Sequence, residues 1–165
     1  MTGCGVYRTP EGFGNLRMRG EGDVLTGLWF EGTRAEGEGE REVPAFRETR
    51  RWLDEYFAGR APAWTPKWRM DGLTAFRREV VAALLAIPFG ETATYGGIAA
   101  AIAERRGMGR MSAQAVGGAV GWNPICIIVP CHRVVGAGGT LTGYGGGLEN
   151  KRALLAHEGT WRGNP

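Results

Sequence analysis

Two prolines, Pro62 and Pro66, sit inside the short stretch from Arg60 to Lys67, and the hydrophobic pattern of the chain changes across them. Proline removes a backbone donor and fixes φ, so neither a helix interior nor a central strand runs through such a stretch. The chain therefore divides into residues 1–66 and residues 67–165. Before the break, Gly5 to Arg19 reads as extended pieces interrupted by Pro10, Gly12 and Gly14, and Val24 to Phe30 is a short β-rich run. Glu31 to Glu42 mixes Glu, Gly and Arg with no apolar period and reads as an exposed loop. From Pro44 the spacing of Phe46, Trp52, Leu53, Tyr56 and Phe57 predicts a helix that stops at Gly59. These elements predict a small N-terminal α/β domain, antiparallel hairpins plus a helix.

Beyond the prolines the pattern becomes helical. Thr74, Thr94 and Ser112 each precede an apolar-periodic segment and are predicted to cap helices over Phe76–Leu85, Tyr95–Ala103 and Ala113–Val120. The last two, joined by a basic, glycine-containing loop, suggest a helix-turn-helix. The Ala, Gly and Val of the third helix suit either tight packing in a core or a thin surface that another backbone approaches closely. Asn123-Pro124 ends it, and the apolar run Ile125–Val129 reads as a buried strand. A glycine-rich loop from Gly136 to Gly147 surrounds Thr142 and Tyr144, and Lys151–His157 carries Leu154 and Leu155 in a final short helix. The fold class expected is α/β: the small N-terminal α/β domain, then a mostly helical C-terminal domain with helix-turn-helix and active-site cysteine.

With 165 residues, 43% of them hydrophobic, the chain has the material for a packed core. No apolar run approaches the roughly 20 residues of a membrane span, and the N-terminus lacks a basic segment followed by an apolar core. A cytoplasmic protein with no membrane partner is the simplest reading. Cys4, Cys126 and Cys131 are an odd count without metal-ligand spacing, which argues against a disulfide framework and a zinc site, so neither metal nor cofactor is expected. The net charge of +3 is unevenly spread: residues 1–68 carry ten basic and eleven acidic side chains, and the rest carry ten and six. Phosphate contacts, if made, belong to the C-terminal part.

The most chemically loaded stretch is Pro130-Cys131-His132-Arg133, a thiol, an imidazole and a guanidinium in succession. A cysteine attacks as its thiolate, so a neighbouring base or positive charge makes it a nucleophile. On a regular strand Cys131 and His132 point to opposite faces, so cooperation needs a turn or a relaying water. Glu158 is a carboxylate that the fold can bring back to orient the imidazole. A buried structural cysteine beside a capping histidine is the other reading of the same pair.

Pro130-Cys131-His132-Arg133-Val134-Val135 follows Asn123-Pro124-Ile125 and precedes Gly143-Tyr144-Gly145-Gly146-Gly147-Leu148 and Leu154-Leu155-Ala156-His157-Glu158-Gly159. This ordered set resembles the active-site core of the O6-alkylguanine-DNA alkyltransferases. Ile87-Pro88-Phe89-Gly90-Glu91-Thr92 and Thr94-Tyr95-Gly96-Gly97-Ile98-Ala99 extend the resemblance upstream, and Tyr7-Arg8-Thr9-Pro10 with Leu25-Thr26-Gly27-Leu28-Trp29-Phe30 echoes the family's opening hairpin.

The resemblance implies that Cys131 takes the alkyl group from O6 of guanine, with O4-alkylthymine as a second candidate lesion, by in-line displacement. The thioether product has no good leaving group, so each molecule acts once. It also implies a relay from Glu158 through His132 and a water to Cys131. Asn123 would hold the adjoining turn, and Tyr95 would protonate the departing guanine and crowd the DNA phosphate. Tyr144, Gly145, Gly146 and Val134 are implied around the flipped base. The partner implied is double-stranded DNA, met in the minor groove by a monomer through Ala113, Gln114, Ala115, Gly117 and Gly118, with Thr94 and Arg110 nearby. That groove is about 6 Å wide and suits a helix surface of small residues. Arg105, Arg106 and Arg110 read either as phosphate contacts or as solvated charges.

Three positions depart from the family's common pattern. Gln114 stands where an arginine often intrudes into the duplex, Gly145 where a serine often follows the loop tyrosine, and Cys126 where proline or serine is frequent. Alkyltransferase-like proteins, which bind the lesion without repairing it, are the rival reading, but they carry tryptophan in place of the reactive cysteine. A transcriptional switch that senses alkylation is the third, and it needs a cysteine-rich metal domain for which this chain lacks the cysteines.

Overall fold

The computed structural model describes residues 1–35, 37 and 39–161, which form two compact units: Met1–Gly72 with Pro124–Ile128, and Leu73–Asn123 with Val129–Pro165. Residues 67–72 stay with the first unit because the Leu25 N–H donates to the Lys67 carbonyl at 2.9 Å and the Arg69 N–H donates to the Leu25 carbonyl at 2.9 Å. Residues 124–128 join it for the same kind of reason. Leu28 N–H donates to Pro124 O at 2.9 Å, and Cys126 N–H donates to Leu28 O at 2.8 Å. The division therefore differs from a single cut after residue 66, because backbone pairing to one strand reclaims two pieces of chain.

The first unit holds an antiparallel sheet of β1 (Thr2–Tyr7), β2 (Leu16–Glu21) and β3 (Val24–Phe30) in that order, with α1 (Ala45–Phe57). Along β2, Leu16 and Met18 are buried while Arg17 and Arg19 face outward, the period of two that fixes which face is core. On α1 the buried residues Phe46, Thr49, Trp52, Leu53 and Tyr56 form one helical stripe. A side chain of this size contributes about 1.5–3 kcal/mol when fully buried. Gly5 and Gly20 admit the stripe, since a Cβ on either would come within 3.1 Å of the Phe46 ring. Of the loop expected over Glu31–Glu42, Glu36 and Glu38 lie outside the described residues, and Arg41 bridges back to Cys4.

The second unit contains α2 (Ala75–Leu85), α3 (Tyr95–Arg105), α4 (Ala113–Trp122) and α5 (Leu148–His157). The caps fall where the sequence puts them: Thr74 accepts from Arg77 N, Thr94 from Gly97 N, and Ser112 from Gln114 N and Ala115 N. α3 packs on α4 as the two helices of the helix-turn-helix. Two short strands, β4 (Ala93–Thr94) and β5 (Val134–Val135), pair in parallel. α5 begins at Leu148, three residues before the start read from the sequence, directly after Gly147 at φ 92°.

The strand expected over Ile125–Val129 does not form. Only Ile125 makes a bridge, to Leu28, and the rest is turns. Ile128 N–H donates to Cys126 O at 2.7 Å around Ile127, whose φ of 68° gives the rarer, strained form of the γ-turn. Cys131 N–H then donates to Val129 O at 2.8 Å around Pro130, at φ −83° and ψ 63°, an inverse γ-turn. The apolar run is buried as expected. An unbroken apolar run reports burial and not extension, which is why this segment misled. Among the described residues no helix is long and apolar enough to cross a membrane.

Candidate active site

Pro130 leads into a 3-10 turn, Cys131–Arg133, so thiol, imidazole and guanidinium share one tight turn instead of alternating faces. All three are buried, Cys131 at 4% exposure and His132 at 0%. The turn is secured from behind by Asn123, whose amide donates to the Val129 carbonyl at 2.9 Å. None of Cys4, Cys126 and Cys131 is tied up in a disulfide.

Glu158, at the C-terminal end of α5, reaches the turn and binds the two residues that follow the cysteine, His132 and Arg133. His132 Nε2 lies 2.6 Å from Glu158 Oε2, and Arg133 donates through Nε to Oε1 at 2.7 Å and through Nη2 to Oε2 at 3.3 Å. Arg133 also donates to the Ile87 carbonyl at 2.8 Å and stacks over the Phe89 ring. Burial holds the His132 imidazole below its ordinary range, with Arg133 and Lys151 adding to the effect and Glu158 opposing it. The ring is therefore neutral near neutral pH. A carboxylate only accepts, so the single ring proton sits on Nε2, which leaves Nδ1 as an acceptor. Nδ1 is buried and makes no hydrogen bond to the described residues. It is a base held ready.

Tyr95, the first residue of α3, and Tyr144, in the glycine-rich loop, come together over the Lys151 ammonium, which lies 5.7 Å and 5.9 Å from their ring centroids. Burial, first, and the Cys131 charge, second, raise the Tyr95 pKa, while a hydrogen bond with Thr142 opposes them. Tyr95 thus keeps its phenolic proton at neutral pH. Lys151 Nζ donates to Gly143 O at 3.0 Å and Asn150 donates to Gly146 O at 2.8 Å, so the first turns of α5 hold the loop. Val134 is buried in β5, Gly146 is buried in the loop, and Gly145 lies close to the Gly121 carbonyl of α4.

The residues expected to meet DNA line a different part of the same unit. Ala113, Gln114, Ala115 and Gly118 are exposed on α4, whereas Val116, Ala119 and Val120 face its core, so the helix does both things its composition allows. Gly117 is half-buried and faces the Tyr95 ring. A Cβ at Gly118 or Gly121 would meet nothing within 4 Å, so internal packing does not demand their smallness. Thr94 caps α3, and Arg110 is exposed in the loop before α4. Arg106 does not share that freedom: it pairs with Glu79 and covers Phe76. His157 packs edge-on against Phe89. Among the described residues no group of His, Cys, Asp and Glu side chains is placed to hold a metal ion.

Sequence reading gave Arg133 no role of its own and passed over Lys151. A signal for Lys151 exists, because it lies three and four residues before Leu154 and Leu155 and so falls on the apolar stripe of α5.

Residues 75–160 match the family model for the 6-O-methylguanine DNA methyltransferase DNA-binding domain. A methylated-DNA–protein-cysteine methyltransferase of Mycobacterium tuberculosis (strain ATCC 25618 / H37Rv) is 45% identical over 156 residues, 92% of this chain and 91% of the relative. The crystal structure of Mycobacterium tuberculosis O6-methylguanine methyltransferase superposes with a TM-score of 0.81 at 40% identity, covering 100% of this chain and 97% of the other. A crystal structure of Mycobacterium tuberculosis OGT in complex with DNA superposes with a TM-score of 0.80 at 41% identity, covering 96% and 94%.

Proposed function

The chain belongs to the family of methylated-DNA–protein-cysteine methyltransferases, which repair DNA by alkyl transfer to one of their own cysteines, and from that premise we propose that Cys131 is the acceptor. The observation that carries this is the 3-10 turn, where a buried thiol sits beside a neutral imidazole whose one proton is committed to Glu158 and whose other nitrogen is a ready acceptor.

His132 Nδ1 takes the thiol proton through a water, and Glu158 steadies the imidazolium that results. The sulfur then attacks the alkyl carbon on O6 of guanine. The S–C bond forms as the C–O6 bond breaks, and the leaving guanine takes up a proton that Tyr95, kept protonated by its burial, is suited to donate. Tyr95 recovers a proton from the relay, so one alkyl group moves to sulfur and one proton moves from sulfur to guanine. Asn123 keeps the turn in place, and Val134, Tyr144, Gly145 and Gly146 surround the base.

The target atom is out of reach in a stacked duplex, so the nucleotide must be extruded. The exposed Ala113, Ala115 and Gly118 of α4, with Gly117 beside them, suit a minor groove too narrow for long side chains, and Gln114 is placed to enter the space the base leaves. Thr94 and Arg110 lie where phosphates would pass. The protein acts on double-stranded DNA as a monomer, in the cytoplasm, with O6-alkylguanine as its lesion. Binding without repair is disfavoured, because the acceptor thiol and its base are both present.

Incubation with an O6-methylguanine oligonucleotide, followed by intact-mass and peptide analysis, is expected to add one methylene mass at Cys131. Cys131→Ser is expected to abolish transfer while retaining lesion binding, since an alcohol is a far poorer nucleophile at neutral pH. Methyl found on Cys4 or Cys126, or normal transfer by the serine variant, would overturn the assignment.

A further inference from the structure

The face of the sheet turned away from α1 carries a cleft of about 370 Å³, lined in part by Arg19, Thr26, Trp29, Arg34 and Pro124, all of the first unit. The pairing of β2 with β3 builds it. Leu16, Met18, Leu28 and Phe30 point into the core, so Arg17 and Arg19 face the other way with their partners Trp29 and Gly27. Arg19 pairs with Gly27 but Gly20 pairs with Leu25, which leaves Thr26 as the extra residue of a β-bulge. A bulge re-aims a side chain, and this is how Thr26 comes to line the same face as Gly27. Gly27 itself has to be small, because a Cβ there would come within 2.9 Å of the Trp29 ring.

The charge in this wall is unbalanced. Among the described residues two arginines and no carboxylate line the cleft, in a part of the chain, residues 1–68, that carries more acidic than basic side chains. Lys67, Arg69 and Arg50 of the same unit each meet a carboxylate. Arg19 is exposed and meets none among the described residues; its guanidinium carbon lies instead 5.2 Å from the centroid of the Trp29 ring. Trp29 is only 4% exposed, and its indole N–H is buried without a hydrogen bond to the described residues. A buried donor left unanswered costs stability, and a phenylalanine would fill the same space without that cost. The wall thus offers donors in excess of acceptors. A carboxylate presents two oxygens in one plane and is satisfied by a single arginine fork, whereas a phosphate presents oxygens in several directions and can serve two arginines and the indole together.

We propose that this cleft binds a phosphate group, held between Arg19 and Arg34 with the Thr26 hydroxyl and the Trp29 N–H as further donors. Arg19 turns from the indole face to the anion, which opens the N–H to the same ligand. The phosphate arrives either free or as part of a DNA backbone, and the chemistry recognised is the same. None of these residues belongs to the 131–133 turn or to α4, so the site adds to alkyl transfer without sharing its groups.

The indole N–H of Trp29 is the probe, followed in proton–nitrogen NMR spectra and identified by its loss in Trp29→Phe. Titration with inorganic phosphate at constant ionic strength is expected to move that signal downfield to saturation, as the N–H gains an acceptor, while acetate leaves it in place. In the double variant Arg19→Gln with Arg34→Gln, whose other indole signals check the fold, affinity for phosphate should fall about tenfold or more, because two charged donors are lost. Titration with unmodified duplex DNA separates the sources. Movement of the Trp29 signal by the duplex, with a salt dependence of duplex binding shallower by about one phosphate contact in the double variant, would assign the DNA backbone. Movement by inorganic phosphate alone would assign the free anion. No movement with either, equal movement with acetate, or a response undiminished in the double variant would overturn the proposal. Transfer from O6-benzylguanine should be the same in the double variant as in the parent, so the assignment of Cys131 stands or falls by its own assay.

Discussion

The ionic contacts of the two units differ in kind, although the second also carries the solvent-facing Arg106–Glu79 pair. In the first, Lys67 meets Asp23 at 2.7 Å, Arg69 meets Glu21 and Asp71 at 3.0 Å, and Arg50 meets Glu42, all at the surface. In the second, Glu158 gathers His132 and Arg133 in the buried interior, and Lys151 is buried as well. Exposed pairs gain little, because each partner is already solvated and must be ordered to meet the other. Buried groups lose their hydration, and they persist where every oxygen and proton finds a partner or where a reaction uses their field. The first unit therefore draws its stability from Phe46, Leu53, Tyr56 and the sheet beneath them. The second gives up some stability to keep charge beside a sulfur.

The largest test of this contrast is Glu158→Gln. It leaves the Arg133 guanidinium buried against a neutral amide and His132 without a carboxylate, so unfolding by urea is expected to show a loss of about 3 kcal/mol. Single-turnover transfer should slow as well, with a changed pH profile, since the imidazolium is no longer stabilised. A variant as stable and as fast as the parent would mean that the buried cluster is no different in kind from the surface pairs.

Gln114→Arg sharpens the contrast from outside, by placing a charge on the exposed first turn of α4. Unfolding should be unaffected. Duplex binding should tighten, with a salt dependence steeper by about one phosphate contact, and repair of a duplex lesion should quicken. Reaction with the free base O6-benzylguanine, which needs no extrusion, should hardly change. Unaltered duplex binding would show that glutamine already fills the vacated stack.

The smallest effect is expected from Asp23→Asn. The Lys67 ammonium lowers the Asp23 pKa through a hydrogen bond at full exposure, so the urea midpoint should not move measurably at moderate salt. A clear drop would erase the distinction between the two kinds of contact.

What the sequence made legible follows the range of the interaction. Thr74, Thr94 and Ser112 act on backbone groups two or three residues away, and their caps could be read from neighbours alone. The alternation along β2 and the stripe of α1 were legible for the same reason. Ile125–Val129 was not, because Leu28 decides its conformation from far along the chain. The approach of Glu158 to His132, next to Cys131, was visible through the ordered motifs around it. Lys151 and Arg133 were hidden, because a charged residue usually signals a solvated surface, and only the packing of α5 and the 131–133 turn reverses that.

The pairing of Leu28 with Pro124 and Cys126 also sets an order in time. On a ribosome that adds roughly 5–20 residues per second, β3 is complete several seconds before the segment that covers its edge has been made. During that interval β3 has β2 on one side, and its other edge is covered only at Leu25, by residues 67–69. An open strand edge is a template for pairing with any extended chain, including a second nascent copy. The first unit is therefore begun first and finished late, and its most exposed moment comes while the residues of the 131–133 turn are still to be translated.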